Sequence, residues 1–258
     1  MAEFNQFAPP KGYPLSIAQL RKFTGRGALF DFLKFYAKRD IRQVFDDFDG
    51  DTINLDMYAV ANGGGAAAAS FAITVAEDGW IRATTGTAGD ATTTCSLIGP
   101  KIYKGDRNPG MEVRFKPVTA VTETMIEIGF VDVVPGSNAM VVNNVTTPTV
   151  NTSVVDAALY HYRDASSVIT NELVTIGGSI TAAKSTFTPP TAIAAATAYT
   201  VRIQIVGNQV SLWMDGMLLA EHKTAATDYI EGGNAVAPWL AIRASDANSK
   251  SLDVDYLH

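Results

Sequence analysis

Beyond about residue 44 this chain alternates apolar and polar side chains with a period of two, and that alternation constrains its fold more than any other feature. Met111-Glu112-Val113-Arg114-Phe115-Lys116 puts Met, Val and Phe on one side and three charges on the other. Residues 199–205 do the same, with Val201, Ile203 and Ile205 on one face. A two-residue period belongs to a strand buried on one face only. Gly207-Asn208 and Asp215-Gly216 are tight-turn signals that join residues 199–205, 209–214 and 217–220 into a meander. Further strands are predicted at 70–76, 80–84, 94–98, 124–133, 157–163, 168–176, 238–243 and 251–257. Residues 61–70, 137–156 and 181–198 are rich in Gly/Ala, Asn/Thr/Pro or Pro and read as loops. More than ten short strands with turns between them predict an all-β fold: an antiparallel two-sheet jelly-roll sandwich over residues 44–258.

The alternating part is not the whole chain. Residues 1–44 carry eight Lys/Arg against three acids, a net +5, while the remaining 12 bases and 23 acids leave −11. Pro9, Pro10 and Pro14 make the first stretch extended. Ser16-Ile17-Ala18-Gln19 has the form of a capping box, and Gly25 and Gly27 end the short helix that would follow. A second helix is expected over residues 28–43, with Leu29, Phe32, Leu33, Tyr36 and Ala37 on one face and Phe30 and Phe35 outside that stripe. Residues 1–43 are therefore expected to be a basic N-terminal anchoring arm, extended and then helical. Its docking residues would be Phe30, Phe32, Leu33, Lys34, Lys38 and Arg42, the three cations standing four apart in a row. No nucleic-acid reader motif accompanies the row, so no specific nucleic-acid partner is expected.

Only 18% of the 258 residues are charged, against 47% hydrophobic. That is below the roughly 25% usual for free soluble proteins, so part of the surface is expected to be covered by a partner. The single cysteine, Cys95, excludes an internal disulfide framework and reads as a small core residue on strand 94–98. No apolar run reaches the ~18–20 residues of a membrane span, so no membrane partner is expected. Residues 1–30 lack a basic start followed by an apolar run, so secretion through a signal peptide is not expected.

Four constellations bear on chemistry. Asp47, Asp49 and Asp51 stand at positions one, three and five of a calcium loop. Thr52 and Tyr58 occupy the places where that loop needs Gly and Glu, so the segment reads as an Asp-rich turn and no metal site is expected. Glu123, Met125 and Glu127 would share one strand face. Paired carboxylates about 5–5.5 Å apart are the apparatus of retaining glycosidases. The segment resembles the Glu-x-Asp-x-Glu strand of laminarinase-type sandwich glucanases, but Met125 stands at its central place, and the departure from that pattern implies no enzymatic activity. His161, His222 and His258 fit no metal-ligand spacing, and no cofactor is expected. Trp80, Trp213 and Trp239 read as core residues before sugar-stacking platforms.

Residues 199–223, with Val210-Ser211-Leu212-Trp213-Met214-Asp215-Gly216, resemble the concanavalin A-like lectin/glucanase superfamily, laminin-G-like members in particular. So do Pro238-Trp239-Leu240-Ala241-Ile242-Arg243 and Leu252-Asp253-Val254-Asp255-Tyr256. Within that superfamily, Phe45-Asp46-Asp47-Phe48 and the strand 111–116 resemble jelly-roll proteins of tailed bacteriophage particles. The resemblance implies a virion structural protein, assembled in the host cytoplasm. It would be a capsid decoration or cement protein whose arm docks on the major capsid protein or another virion protein, as a homo-oligomer with a trimer favoured. The alternative it implies is a carbohydrate-binding module or host-recognition adhesin, with a glycan as partner.

Overall fold

The structure is a computed structural model; it describes residues 46–48, 53–63, 69–73, 79–86, 93–135, 140–143, 149–165, 168–177, 182–223, 230 and 234–258. In chain order the strands are β1 (Ala59–Gly63), β2 (Ala69–Ile73), β3 (Ile81–Thr85), β4 (Thr94–Ile98), β5 (Tyr103–Lys104), β6 (Gly110–Pro117), β7 (Thr124–Val131), β8 (Val142–Asn143) and β9 (Thr149–Val150). They continue with β10 (Ala157–Ala165), β11 (Val168–Ile176), β12 (Ala182–Thr186), β13 (Tyr199–Val206), β14 (Gln209–Met214), β15 (Met217–Lys223), β16 (Ala235–Ala244) and β17 (Ser251–Leu257). One sheet runs β1-β4-β16-β7-β10-β11-β12, with β5 pairing β16; the other runs β15-β14-β13-β6-β17-β3-β2. Every pairing between them is antiparallel, and neighbours such as β4 and β16 or β6 and β17 are far apart in the chain, as a jelly roll requires.

The alternation seen in the sequence is the alternation of the seven-stranded sheet. Met111, Val113 and Phe115 on β6 and Val201, Ile203 and Ile205 on β13 face inward and are buried, while Glu112, Arg114 and Arg202 face out. From the opposite sheet Leu97, Ile126, Ile128, Phe130, Tyr160, Tyr162 and Leu240 complete the core. At about 25 cal/mol per Å² of apolar area removed from water, this layer supplies most of the favourable free energy of folding. The outer face of the seven-stranded sheet is an ion-pair lattice. Arg82 grips Asp253 through two bonds of 2.6 and 2.9 Å, and Arg114 pairs with Asp255.

The other sheet differs in one respect that positions the site. Its central strand β7 is buried on both faces from Thr124 to Val131. Inner residues join the main core; outer residues Met125 and Val131 join a second apolar cluster with Leu159, Val174, Trp239, Met140, Val141, Val142 and Val154. The segment after β7 therefore folds back over its own sheet. Gly129 lies between Trp239 and Leu159 in register, where a Cβ would stand 2.2 Å from the carbonyl oxygen of Ala158 and 2.6 Å from the Cα of Leu159. Only glycine allows the neighbouring backbone this close.

Candidate functional site

Cross-strand register gathers polar side chains on the outer face of the eight-stranded sheet. Ser96 on β4, Ala241 on β16, Glu127 on β7, His161 on β10 and Glu172 on β11 are successive partners in one row. Two residues along the strands, Thr94, Arg243, Met125, Arg163 and Thr170 form a second row. Both rows are polar because alternation places every second residue of these strands outward. The cover contributed by residues 140–142 then makes them a buried polar layer.

Glu127 is fully buried and accepts three N–H bonds: from Val141 at 2.9 Å, from Val142 at 2.7 Å and from the Trp239 indole at 3.0 Å. Burial pushes its carboxyl above the usual carboxylate range, against the opposing pull of His161 and of those three donors. Beyond it, His161 Nδ1 lies 3.1 Å from Glu172 Oε2. That hydrogen bond holds Glu172 below the usual range, although its burial acts the other way. The Arg243 guanidinium is pulled below its ordinary value by burial, which the charge of Glu127 partly offsets. The arrangement is a carboxylate–imidazole–carboxylate line flanked by two guanidinium groups. It can hold charge and share a proton between His161 and Glu172. His161 Nε2 is unpaired among the described residues and both Glu127 oxygens are taken by other donors, so no hydrogen bond joins Glu127 to His161.

The residues singled out in the sequence are placed unevenly. Glu127 is in the site, but Glu123 is not on its strand: it sits in the preceding turn with φ +52°, its carbonyl accepting the N–H of Ser245. The single strand face expected for Glu123, Met125 and Glu127 is therefore replaced by one buried carboxylate and one rim carboxylate. Of the Asp-rich segment, Asp47 is exposed, Asp46 bridges to Leu257 and caps the N–H of Phe48, and Asp49 and Asp51 lie outside the described residues. The arm residues Phe30, Phe32, Leu33, Lys34, Lys38 and Arg42 also lie outside them. Cys95 is a buried core residue.

The tryptophans depart from a simple core reading. Trp239 is buried, but on the outer side, bonded to Glu127. Trp80 and Trp213 are half-buried beneath cations: Lys116 Nζ stands 4.4 Å from the Trp80 ring centroid, and the Arg202 guanidinium 5.1 Å from that of Trp213. Sequence reasoning missed Arg163, Glu172 and Arg243. Only Arg243 carried a signal, a lone charge in the otherwise apolar run of β16; β10 and β11 hold other polar residues that mask Arg163 and Glu172.

No family model matches the chain, and no curated protein matches it. Solved structures do. LamAcat from Zobellia galactanivorans superposes with a TM-score of 0.56 at 12% identity, covering 86% of this chain and 98% of that one. The β-glucanase of Bacillus licheniformis gives 0.56 at 11% identity, with 83% and 95% covered. The carbohydrate recognition domain of Emp46p, in a potassium-bound form, gives 0.51 at 12% identity, with 79% and 88% covered. One sequence expectation is corrected by these likenesses. A chain without enzymatic activity was expected from Met125, yet glucan-hydrolysing enzymes are among the proteins that share this fold. The missing third carboxyl does not separate this chain from that scaffold. Nothing in these likenesses indicates a bacteriophage context, so that part of the resemblance gains nothing from them. At 11–12% identity the likeness establishes the fold alone: an antiparallel two-sheet jelly-roll sandwich.

Proposed function

We propose that this chain is a carbohydrate-binding jelly-roll domain whose ligand meets the outer face of the eight-stranded sheet. One observation carries the reading. Four adjacent strands, β16, β7, β10 and β11, hold Arg243, Glu127, His161, Arg163 and Glu172 together on the face away from the main core. A sheet face that served packing alone would be apolar there, since burying polar groups is costly unless each finds a partner. Carbohydrate recognition domains and glucanases share the fold, which supports a glycan as the ligand class.

The test is calorimetric titration of the full chain with neutral β-linked glucan oligosaccharides and with acidic oligosaccharides, with release of reducing ends followed in the same samples. Binding of at least one class, weakened at least about tenfold by Glu172→Gln, is the expected result; a tenfold loss is the scale of one charge-assisted hydrogen bond. Failure of every glycan to bind would remove the reading.

The charge asymmetry of the sequence favours a second role compatible with the first. A +5 segment on a −11 body suits an anchor addressed to an acidic protein surface. Under this reading the chain is a glycan-binding component of an assembled particle, a capsid-associated decoration protein, held by residues 1–43.

A further inference from the structure

The second polar row, one register step from Glu127, contains groups that the protein leaves unsatisfied. Thr94 and Arg243 are direct cross-strand partners on β4 and β16, and they are 2% and 9% exposed. Thr94 Oγ1 and Arg243 Nε are buried, and neither has a hydrogen-bond partner among the described residues. A buried N–H donor and a buried hydroxyl are rarely left unpaired in native proteins, so two adjacent ones call for a partner from outside the fold. The same holds for His161 Nε2 in the neighbouring row, which is fully buried and unpaired while Nδ1 is engaged by Glu172.

Charge points to what that partner is. Glu127 is the acid whose field reaches Arg243, yet both its oxygens are taken, one by Val142 and the other by Val141 and Trp239. Among the described residues Arg243 makes no ion pair, so its positive charge is buried without a bonded counter-ion. Met125 separates it from Arg163, which stands in the same row and is 7% exposed. Arg163 Nε donates to Thr170 Oγ1 at 3.1 Å, which orients the guanidinium along the row. Two strands apart, the backbones that carry Arg243 and Arg163 are spaced by roughly 10 Å, with Met125 between them in register. Two residues along the chain from Met125 and Arg243, beyond the ends of β7 and β16, Glu123 and Ser245 are part-exposed, so the row lies next to the rim of the sheet.

We propose that this row binds an acidic glycan. Arg243 and Thr94, adjacent and each with an unpaired buried donor, hold one carboxylate or sulfate group of that glycan. A guanidinium and a hydroxyl side by side present N–H and O–H donors to adjacent oxygens of one anion, which a neutral sugar cannot match in charge. The inference rests on the glycan-binding reading and names the class of glycan.

The experiment uses the full chain and three probes of equal length: a hexamannuronate, a sulfated heparin hexasaccharide and laminarihexaose. The expected result is that at least one acidic probe binds about tenfold or more tightly than laminarihexaose, with affinity falling as salt rises from 0.1 to 1 M. Binding of the hexamannuronate shows that a carboxylate is sufficient; binding of heparin, which carries both carboxylates and sulfates, without the hexamannuronate points to sulfate as the recognised group. Arg243→Gln should weaken acidic binding by about tenfold or more, Arg243→Lys by less, and Arg202→Gln on the opposite sheet not at all. Thr94→Val removes one hydroxyl at nearly constant volume; it should weaken acidic binding with its melting temperature preserved, and it carries the test alone if Arg243→Gln does not fold. Laminarihexaose binding as tightly as both acidic probes would overturn the inference and leave the glycan reading standing. So would unchanged acidic affinity in Thr94→Val or in folded Arg243→Gln. No binding of any probe would overturn both.

Discussion

Glu127 shows how one residue can be read correctly in type and wrongly in circumstance. The sequence places it on a strand with one face in contact with solvent, and its strand is indeed β7. The carboxylate is instead enclosed, with an indole and two backbone amides as donors. Every group that touches it donates, so an isosteric amide cannot replace it: the NH2 of glutamine would face at least one N–H. Glu127→Gln is therefore expected to destabilise the fold by about 1–3 kcal/mol, the range for leaving buried donors unpaired. Urea denaturation checks this, and a midpoint equal to that of the unmodified chain would contradict it. The pH sense follows from the raised carboxyl. Its contribution favours the fold below the unfolded value of about 4.3 and is lost as pH rises through the folded value. Glu172 works in the opposite sense, stabilising above about 4.3 and losing its contribution as pH falls through its lowered folded value. The site was only partly legible because its members come from four strands. Sequence spacing shows neighbours along a strand, whereas Arg243, Glu127, His161 and Glu172 are neighbours across strands.

At the scale of elements, the open edges of the two sheets are tied together by one imidazole. His222 on β15, the edge of the seven-stranded sheet, bonds Thr175 on β11 through Nδ1 and Ser185 on β12 through Nε2, both at 2.8 Å. Burial lowers its pKa, so the folded chain resists a proton that the unfolded chain accepts near pH 6.5. Stability from this group is complete above about 6.5 and is lost as pH falls toward the folded value. Thermal melts between pH 7 and 5 should show a decline that His222→Gln flattens; an equal slope in both proteins would show that the bridge does not titrate. The elements that sequence reading placed best are those with alternation and a turn on each side. Residues 168–176, 209–214 and 251–257 coincide with β11, β14 and β17. Five strands were missed: β5, β8 and β9 have only two residues each, and β8, β9 and β12 lie in the segments 137–156 and 181–198 that read as loops. The two longer ones are short on side-chain signal, β1 reading Ala-Val-Ala-Asn-Gly and β12 Ala-Ala-Lys-Ser-Thr. The strand character of these two comes from pairing with β4 and β11, a tertiary effect that local propensity does not carry.

For the whole molecule, the jelly roll explains the composition better than any single strand does. Its buried residues run from Phe48 to Leu257, and the last strand β17 pairs with both β3 and β6, locking the end of the chain into the centre of a sheet. All seventeen described strands lie after residue 44. A chain beginning at Phe45 is therefore expected to fold, melting within a few degrees of the full chain. The basic segment is where the particle reading is exposed to test. If residues 1–43 anchor the protein, the truncated chain should keep its glycan affinity and fail to co-sediment with particles that lack the protein. Reversing Lys34, Lys38 and Arg42 to Glu should produce the same split. An exposed pair contributes only ~0–1 kcal/mol, but reversal converts three attractions into three repulsions. Salt separates the contributions further, because the screening length falls from ~10 Å at 0.1 M to ~3 Å at 1 M. Attachment through the cations should weaken over that range, while attachment through Phe30, Phe32 and Leu33 should persist. Co-sedimentation of the truncated chain at the level of the full one would remove the anchor and, with it, the reason to place this domain on a particle.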